Sequence, residues 1–268
     1  MVITIDDPND TRLSDFQRLI DARFRTSIES PGPFHRGFCV AEGWIVIERL
    51  LRSRHAVRNV YVVDSKLERA LEMIGSRPLT VYTAPASVVY ATVGFPLHRG
   101  ILASADRGLP LLASNVVRRN RRLVICEGIT NPENLGAIVR NAAALGATGV
   151  LVDNTSCDLL SRRVIRVSMG HALLIESARG SIDQLIGLAQ RVGIDCLGLT
   201  PDADATDLDV LERRDDLAVV LGAEGPGLSP QALALCDRRV RIEMAAGVDS
   251  LNVATAGAIA MNRLFVRS

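Results

Sequence analysis

The sequence predicts an α/β protein in two parts, a small α/β domain followed by a larger domain built on a mainly parallel sheet. Short apolar, strand-like runs alternate with stretches of helical periodicity through most of the 268 residues. That length is close to the size at which a single hydrophobic core stops growing, which favours two domains. Apolar residues make up 48% of the chain and aromatics only 4%, and strands rich in Ala, Val and Leu suit a parallel sheet covered on both faces.

Element by element, residues 1–11 (MVITIDDPNDT) read as a polar lead-in. Leu13, Phe16, Leu19, Ile20, Phe24 and Ile28 recur at helical spacing, predicting an amphipathic helix over 12–28 within an N-terminal extension, 1–36. SPGPFHRG (30–37) breaks it. Strand FCVAEG, helix WIVIERLLRSR, strand VRNVYVVD, helix KLERALEMIG and strand LTVYTA follow, up to GILASAD at 100–106, and place a small α/β domain at 37–115. The Arg-rich stretch 116–122 reads as a basic linker. In the second domain, 123–268, LVICE (123–127) is a strand, and Asn134 is expected to cap a helix over 135–145 that ends at Gly146. TGVLVD (148–153) is the next strand, and ALLIE (172–176) and DCLGLT (195–200) flank a helix at 182–191. LAVVLG (217–222) and RRVRIEM (238–244) precede a terminal helix, 251–265. This is the order of a doubly wound sheet.

A net charge of +1 excludes a polycation, so any nucleic-acid contact must come from local patches. Three exist: Arg118, Arg119, Arg121 and Arg122; Arg162, Arg163 and Arg166; and Arg238, Arg239 and Arg241. The first two are the candidate RNA-binding groups; solvated charge at element ends is the plainer alternative. Five scattered cysteines contain no CxxC, and with four scattered histidines they offer no metal-ligand spacing. Cys126 and Cys196 read as ordinary buried thiols. No secretory leader or membrane span is expected, which fits a cytoplasmic protein.

Three punctuated segments carry the chemistry: NPENLGAIVRNAAALGA (131–147), LGAEGPGLS (221–229) and SLNVATAG (250–257). Each stands between a strand-like and a helix-like stretch, so together they describe one composite site. Ser250 and Asn252 stand at the mouth of the terminal helix, where polar atoms can meet a ligand. Asp153 ends a strand–loop–helix–strand unit, but the loop EGITNPENLG lacks the glycines a dinucleotide pyrophosphate needs, and no P-loop is present.

Read together, the three segments resemble the signature motifs of the SpoU (TrmH-like) family of RNA 2′-O-ribose methyltransferases, in the SPOUT superfamily. The first is similar to the family's N/D-P-x-N-x-G…R…G pattern through Asn131, Pro132, Asn134, Gly136, Arg140 and Gly146. The second resembles G-x-E-G-x-G-L through Gly222, Glu224, Gly225, Gly227 and Leu228, and the third matches S-L-N-V-x-x-A from Ser250 to Ala256. Glu243 stands before Met244 where the family usually has proline. The resemblance covers 122–268, and the first domain resembles a substrate-binding domain akin to RNA-binding ribosomal proteins.

The resemblance implies a sheet closed by a deep trefoil knot and S-adenosylmethionine held by the loops at 197–201, 221–227 and 242–252. Leu199, Thr200, Leu221, Gly222, Ala223, Gly225, Gly227, Ile242, Met244 and Leu251 are then the cofactor-binding candidates. Arg140, Asn134, Glu224, Ser250 and Asn252 are the catalytic candidates. The family gives the arginine the central role, sometimes as general base. Neutralising any arginine near pH 8 costs roughly 6–8 kcal/mol against its reference pKa, so a charged clamp on phosphate and developing alkoxide is favoured here. No metal is expected. The implied substrate is structured RNA, ribosomal before transfer RNA, and the implied assembly is a homodimer through the C-terminal domain. Ala254, Gly257, Ala258 and Met261 form a small-residue face suited to that contact. A catalytically silent RNA-binding protein and a dinucleotide-dependent oxidoreductase are the competing readings, separable by cofactor titration.

Overall fold

The computed structural model describes residues 1–30 and 37–266; the break expected at 30–37 falls, for residues 31–36, outside the described residues. The chain divides into two compact units, residues 1–109 with 160–174, and residues 110–159 with 175–268. Residues 160–174 had been expected in the second domain.

In the first unit the elements run β1 (Val2–Thr4), a 3-10 turn (Thr11–Phe16), α1 (Ala22–Glu29), β2 (Phe38–Glu42), α2 (Trp44–Leu50), β3 (Val57–Val63), α3 (Leu67–Ile74), β4 (Thr80–Ala84), α4 (Ala86–Val93) and β5 (Ile101–Asp106). They form a five-stranded sheet in the order β1-β4-β3-β5-β2. β1, β4 and β3 are parallel, and β5 is antiparallel to both of its neighbours. The expected polar lead-in is therefore an edge strand, with Val2 paired to Val81; three residues are too few for strand alternation to show in a sequence.

The helix expected over 12–28 is two pieces. Asp10 accepts the Arg12 N–H at 2.9 Å and starts the 3-10 turn. The chain then turns at Arg18 (φ 51°), and Asp21 accepts the Phe24 N–H at 3.0 Å near the start of α1. Local carboxylate caps outcompete a continuous helix. Leu13, Phe16 and Leu19 are still buried, beside Tyr61 and Leu102.

The second unit contains α5 (Ala113–Arg119), β6 (Arg122–Cys126), α6 (Pro132–Ala144) and β7 (Gly149–Asp153); α7 (Arg162–Val167), inserted next, belongs to the first unit. β8 (Glu176–Gly180), α8 (Ile182–Arg191), β9 (Asp195–Leu199), β10 (Thr206–Asp207), β11 (Leu217–Leu221), α9 (Pro230–Leu235), β12 (Arg238–Arg241) and α10 (Val253–Phe265) complete it. Its seven strands lie in the order β10-β12-β9-β11-β6-β7-β8, parallel at every pairing. The core on one face of the sheet gathers Leu123, Ile125, Leu151, Ala218 and Val220 with Leu185 and Ile186 of α8.

The stretch 116–122 differs from its expected linker role, because it is the end of α5 and the start of β6, with Val116 and Val117 inside that core. The strand expected at 172–176 is displaced: residues 171–173 are a 3-10 turn and β8 begins at Glu176. Cys126 and Cys196 are fully buried, and burial pushes both thiols far up. Among the described residues, no helix is long and apolar enough to cross a membrane.

Candidate active site

A parallel sheet gathers loops at the carboxyl ends of its strands, and ligands of such sheets bind there. In the second unit the ends of β9, β11 and β12 and the start of α10 surround a cavity of about 380 Å³. Leu199 and Thr200 follow from β9; Leu221, Gly222, Ala223, Gly225 and Gly227 come from β11 and its loop; Ile242, Met244 and Leu251 come from the loop after β12. All ten cofactor candidates thus lie on one wall system, together with Pro201, Val240, Val253 and Ala256, which were not among those candidates. Glu243, between two lining residues, is exposed and does not line the cavity.

The glycine loop is shaped by backbone contact. A Cβ on Gly222 would lie 2.2 Å from Gly227 C and Leu228 N, so only glycine fits. Ala223 and Gly227 exchange two backbone hydrogen bonds, at 3.1 and 3.0 Å, and Gly225 and Gly227 hold φ at +86° and +71°.

Two carboxylates unremarked as functional in the sequence hold this loop's surroundings. Glu127 accepts from Ser229 N at 2.8 Å and Ser229 Oγ at 2.7 Å, and Ser229 in turn caps α9. Asp153 accepts from Gly128 N at 3.0 Å and from Ser156 N at 2.8 Å, as well as from the Ser156 and Thr155 hydroxyls. Burial pushes the Asp153 carboxyl up, but the hydrogen bonds from Ser156, Thr155 and Gly128 outweigh it and hold it below its ordinary value. Both carboxylates end a strand-like run, which is the signal that could have found them.

The polar centre joins all three motif segments. Asn252 caps α10 by accepting from the Ala254 and Thr255 N–H groups. Its amide nitrogen donates to Asn134 Oδ1 at 3.0 Å and to Glu224 Oε1 at 3.1 Å. Asn134 was expected to be a helix cap. Instead Asn131 caps α6, accepting from Glu133 N with Pro132 in the first turn, so the buried Asn134 side chain reaches Asn252. Ser250, Asn252 and Glu224 line the cavity; Asn134 and Arg140 are not among its lining residues.

Arg140 is exposed on α6 and, among the described residues, has no hydrogen-bond or ion-pair partner. Asn134 and Asn141 lie two turns apart on the α6 face that meets α10, where Asn141 donates to the Ala254 carbonyl at 3.1 Å. Arg140, one residue round the helix, is off that face.

The candidate RNA-binding arginines are drawn apart. Arg118 bonds the Ser114 carbonyl of its own helix, Arg119 pairs with Glu176, Arg121 with Asp216, and Arg122 reaches the Phe265 carbonyl. In the first unit Arg162 pairs with Glu42 at 2.7 Å and lies over Phe95, while Arg166 is 3.9 Å from Glu42; Arg163 also has partners. Arg239 and Arg241 pair with Asp204 and Asp207. Side-chain direction, invisible in a run such as RRNRR, disperses the cluster across a helix end and a strand start.

A parallel α/β unit with a strand-end cavity and a polar network at a helix mouth forms a small-ligand site. The comparisons specify it. Residues 121–262 match the SpoU rRNA Methylase family. The chain is 38% identical, over 95% of its length and 88% of the relative's, to a protein of Mycobacterium tuberculosis named as an uncharacterized tRNA/rRNA methyltransferase. It is 28% identical to the 23S rRNA (guanosine-2′-O-)-methyltransferase RlmB of Acinetobacter baylyi, over 74% of this chain and 83% of that one. The crystal structure of an AdoMet-bound rRNA methyltransferase from Sinorhizobium meliloti shares the fold, with TM-score 0.81 at 20% identity over 98% and 97% of the two chains. The chain belongs to the SpoU rRNA methylase family. It is an RNA methyltransferase, and its methyl donor is S-adenosylmethionine.

Proposed function

We propose that this chain transfers the methyl group of S-adenosylmethionine to a ribose 2′-hydroxyl of structured ribosomal RNA. The observation that carries the reading is the Asn252 bridge to Asn134 and Glu224, which ties all three motif segments together at the mouth of the cavity.

The cavity suits the donor. Its volume of about 380 Å³ lies within the roughly 300–1,000 Å³ range of small-ligand and cofactor sites. Leu199, Ile242, Met244 and Leu251 provide apolar wall for a purine, and the tight backbone at Gly222 lets main-chain amides and carbonyls read its edge. Glu224 adds a carboxylate suited to a cationic ligand. When bound, S-adenosylmethionine supplies an electrophilic methyl group on its sulfonium.

The chain's own residues do the rest. Asn252, fixed by its cap bonds, orients the Glu224 carboxylate and the Asn134 amide. Ser250 offers a hydroxyl at the cavity wall for the incoming nucleotide. With the donor held by the cavity residues, its methyl would pass from sulfur to the ribose oxygen and the hydroxyl proton would be released to solvent. Arg140, an exposed cation without a partner among the described residues, clamps the adjacent phosphate and the developing oxyanion. Holding oxygen and methyl in line contributes several kcal/mol by itself.

Ribosomal RNA is preferred because the relative RlmB is named for 23S rRNA. The Mycobacterium tuberculosis relative, named for tRNA or rRNA, makes transfer RNA the second reading. The setting proposed is the cytoplasm, and the assembly a homodimer through the C-terminal domain. Of the face first expected at that contact, Ala258 stays partly exposed. Ala254, Gly257 and Met261 are buried within the chain, where a Gly257 Cβ would meet Leu221 Cδ1 at 2.8 Å. Ile259 and Val248, exposed large apolar residues of this region at 40% and 49%, are the proposed contact.

Mapping 2′-O-methylation across total RNA with and without the protein tests the reading. A donor-dependent mark on one ribosomal nucleotide supports it. Methylation confined to bases or to transfer RNA would replace it.

A further inference from the structure

We infer that the first unit carries a base-stacking RNA contact centred on Trp44, the chain's single tryptophan. The inference rests on the RNA-directed function above and extends it to a surface outside the donor cavity. Trp44 opens α2, and its indole N–H donates to the Arg99 carbonyl at 3.1 Å. The Lys66 ammonium donates to the same carbonyl at 3.3 Å and to that of His98 at 3.4 Å. The Arg69 guanidinium lies over the indole, 4.1 Å from the ring centre. One aromatic ring thus has a guanidinium on it and two further cationic residues, Lys66 and Arg99, beside it. Arg69, Arg99, His98 and Ile45 are exposed, and Trp44 is half-buried.

The backbone is shaped to bring these groups together. Gly43, at φ +93°, turns the end of β2 into α2, and a Cβ there would lie 3.4 Å from Arg99 Cγ. Gly100, at φ +67°, lies beneath the Lys66 stem, where a Cβ would come within 2.9 Å of Lys66 Cδ. Both positions favour glycine by dihedral angle, and at Gly100 a side chain would also displace the lysine. Two separate glycines therefore keep the tryptophan edge and the lysine on one carbonyl.

The exposed Arg69 guanidinium, seated on an indole tied at its edge, presents a flat cationic plane backed by the ring, and it fits one class of ligand. Cations call for a polyanion, and the indole calls for a polyanion that presents aromatic faces. Unpaired RNA bases, in a loop or bulge, meet both requirements, because they can stack while their phosphates approach the guanidinium and ammonium groups. A paired duplex keeps its base faces covered and does not.

Because Trp44 is the single tryptophan, indole emission reports on the surroundings of this site. The full chain is titrated with deproteinised ribosomal RNA and, separately, with polyphosphate, a polyanion without bases. RNA is expected to quench the emission saturably, and polyphosphate to leave it unchanged. Trp44→Leu should weaken binding of labelled ribosomal RNA roughly 5- to 140-fold, the range for losing one base–aromatic stack. Trp44→Phe should recover most of it, and affinity for S-adenosylmethionine should not move. Arg69→Ala, which leaves the indole–Arg99 bond in place, should give a smaller loss and covers the case in which Trp44→Leu fails to fold. Unchanged emission in a chain that binds and methylates ribosomal RNA would overturn this contact and leave the methyltransferase reading intact. Equal quenching by polyphosphate would overturn it too, reducing the surface to a charge patch. Absence of any RNA binding would overturn both readings.

Discussion

Replacing Gly222 with alanine tests whether the loop after β11 forms the donor site. The new Cβ would stand 2.2 Å from Gly227 C and Leu228 N, against an ordinary contact of at least 3.4 Å. The 227–228 backbone must therefore retreat by about 1.2 Å, and it is backbone, with no flexible side-chain end to swing away. The two bonds between Ala223 and Gly227 span that gap at 3.1 and 3.0 Å and would not both survive. At about 0.5–1.5 kcal/mol each, their loss comes to about 1–3 kcal/mol. If the loop gives way locally, that cost falls on binding, and the dissociation constant for S-adenosylmethionine rises about 5- to 140-fold. If the strain is retained, it appears as a lower melting temperature. Calorimetric titration together with thermal unfolding captures both routes. Binding within twofold of the parent at an unchanged melting temperature would refute the reasoning.

Arg140→Ala should lower methyl transfer by at least about 100-fold, in line with losing an electrostatic clamp, while affinity for S-adenosylmethionine stays within about threefold; near-normal single-turnover rates would remove Arg140 from the mechanism. Asp153→Asn should lower the melting temperature at neutral pH, because the Asp153 carboxylate, held below its ordinary 3.8, stabilises the fold above that value and loses this as pH falls through its lower folded value. The gap between parent and variant should therefore close below pH 3.8, and a gap constant with pH in unfolding scans would count against that role. Met261→Glu, placing a charge where Met261 is fully buried, should unfold the monomer, whereas Ile259→Glu, at a position 40% exposed, should leave the fold intact and shift a dimer toward monomer. Sedimentation showing identical mass for the parent and Ile259→Glu would remove this residue from the contact.

The alternation of strands and helices was legible because it is written in local periodicity. Helix α8 falls where the pattern puts it, at 182–191, and the central strands begin or end within a residue of their apolar runs. The edge strand β1 and the broken helix near Arg18 were not, because one is too short to show a period and the other was decided by two competing caps. The site followed the same division. Three glycine- and asparagine-punctuated loops announce themselves by residue type, since positive φ at Gly225 and Gly227 and the close approach at Gly222 demand it.

Taken alone, then, the sequence determined the class of the sheet, the three loops and the family they resemble. The tertiary structure decided which asparagine caps α6 and which one meets Asn252, 118 residues away. It also decided that RRNRR is dispersed into separate partners and that residues 160–174 belong with the first unit. The physical reason is range. Backbone dihedrals and apolar period are properties of a few neighbouring residues, whereas a hydrogen bond or ion pair between distant residues exists only after sheet register and helix packing have set where each side chain points.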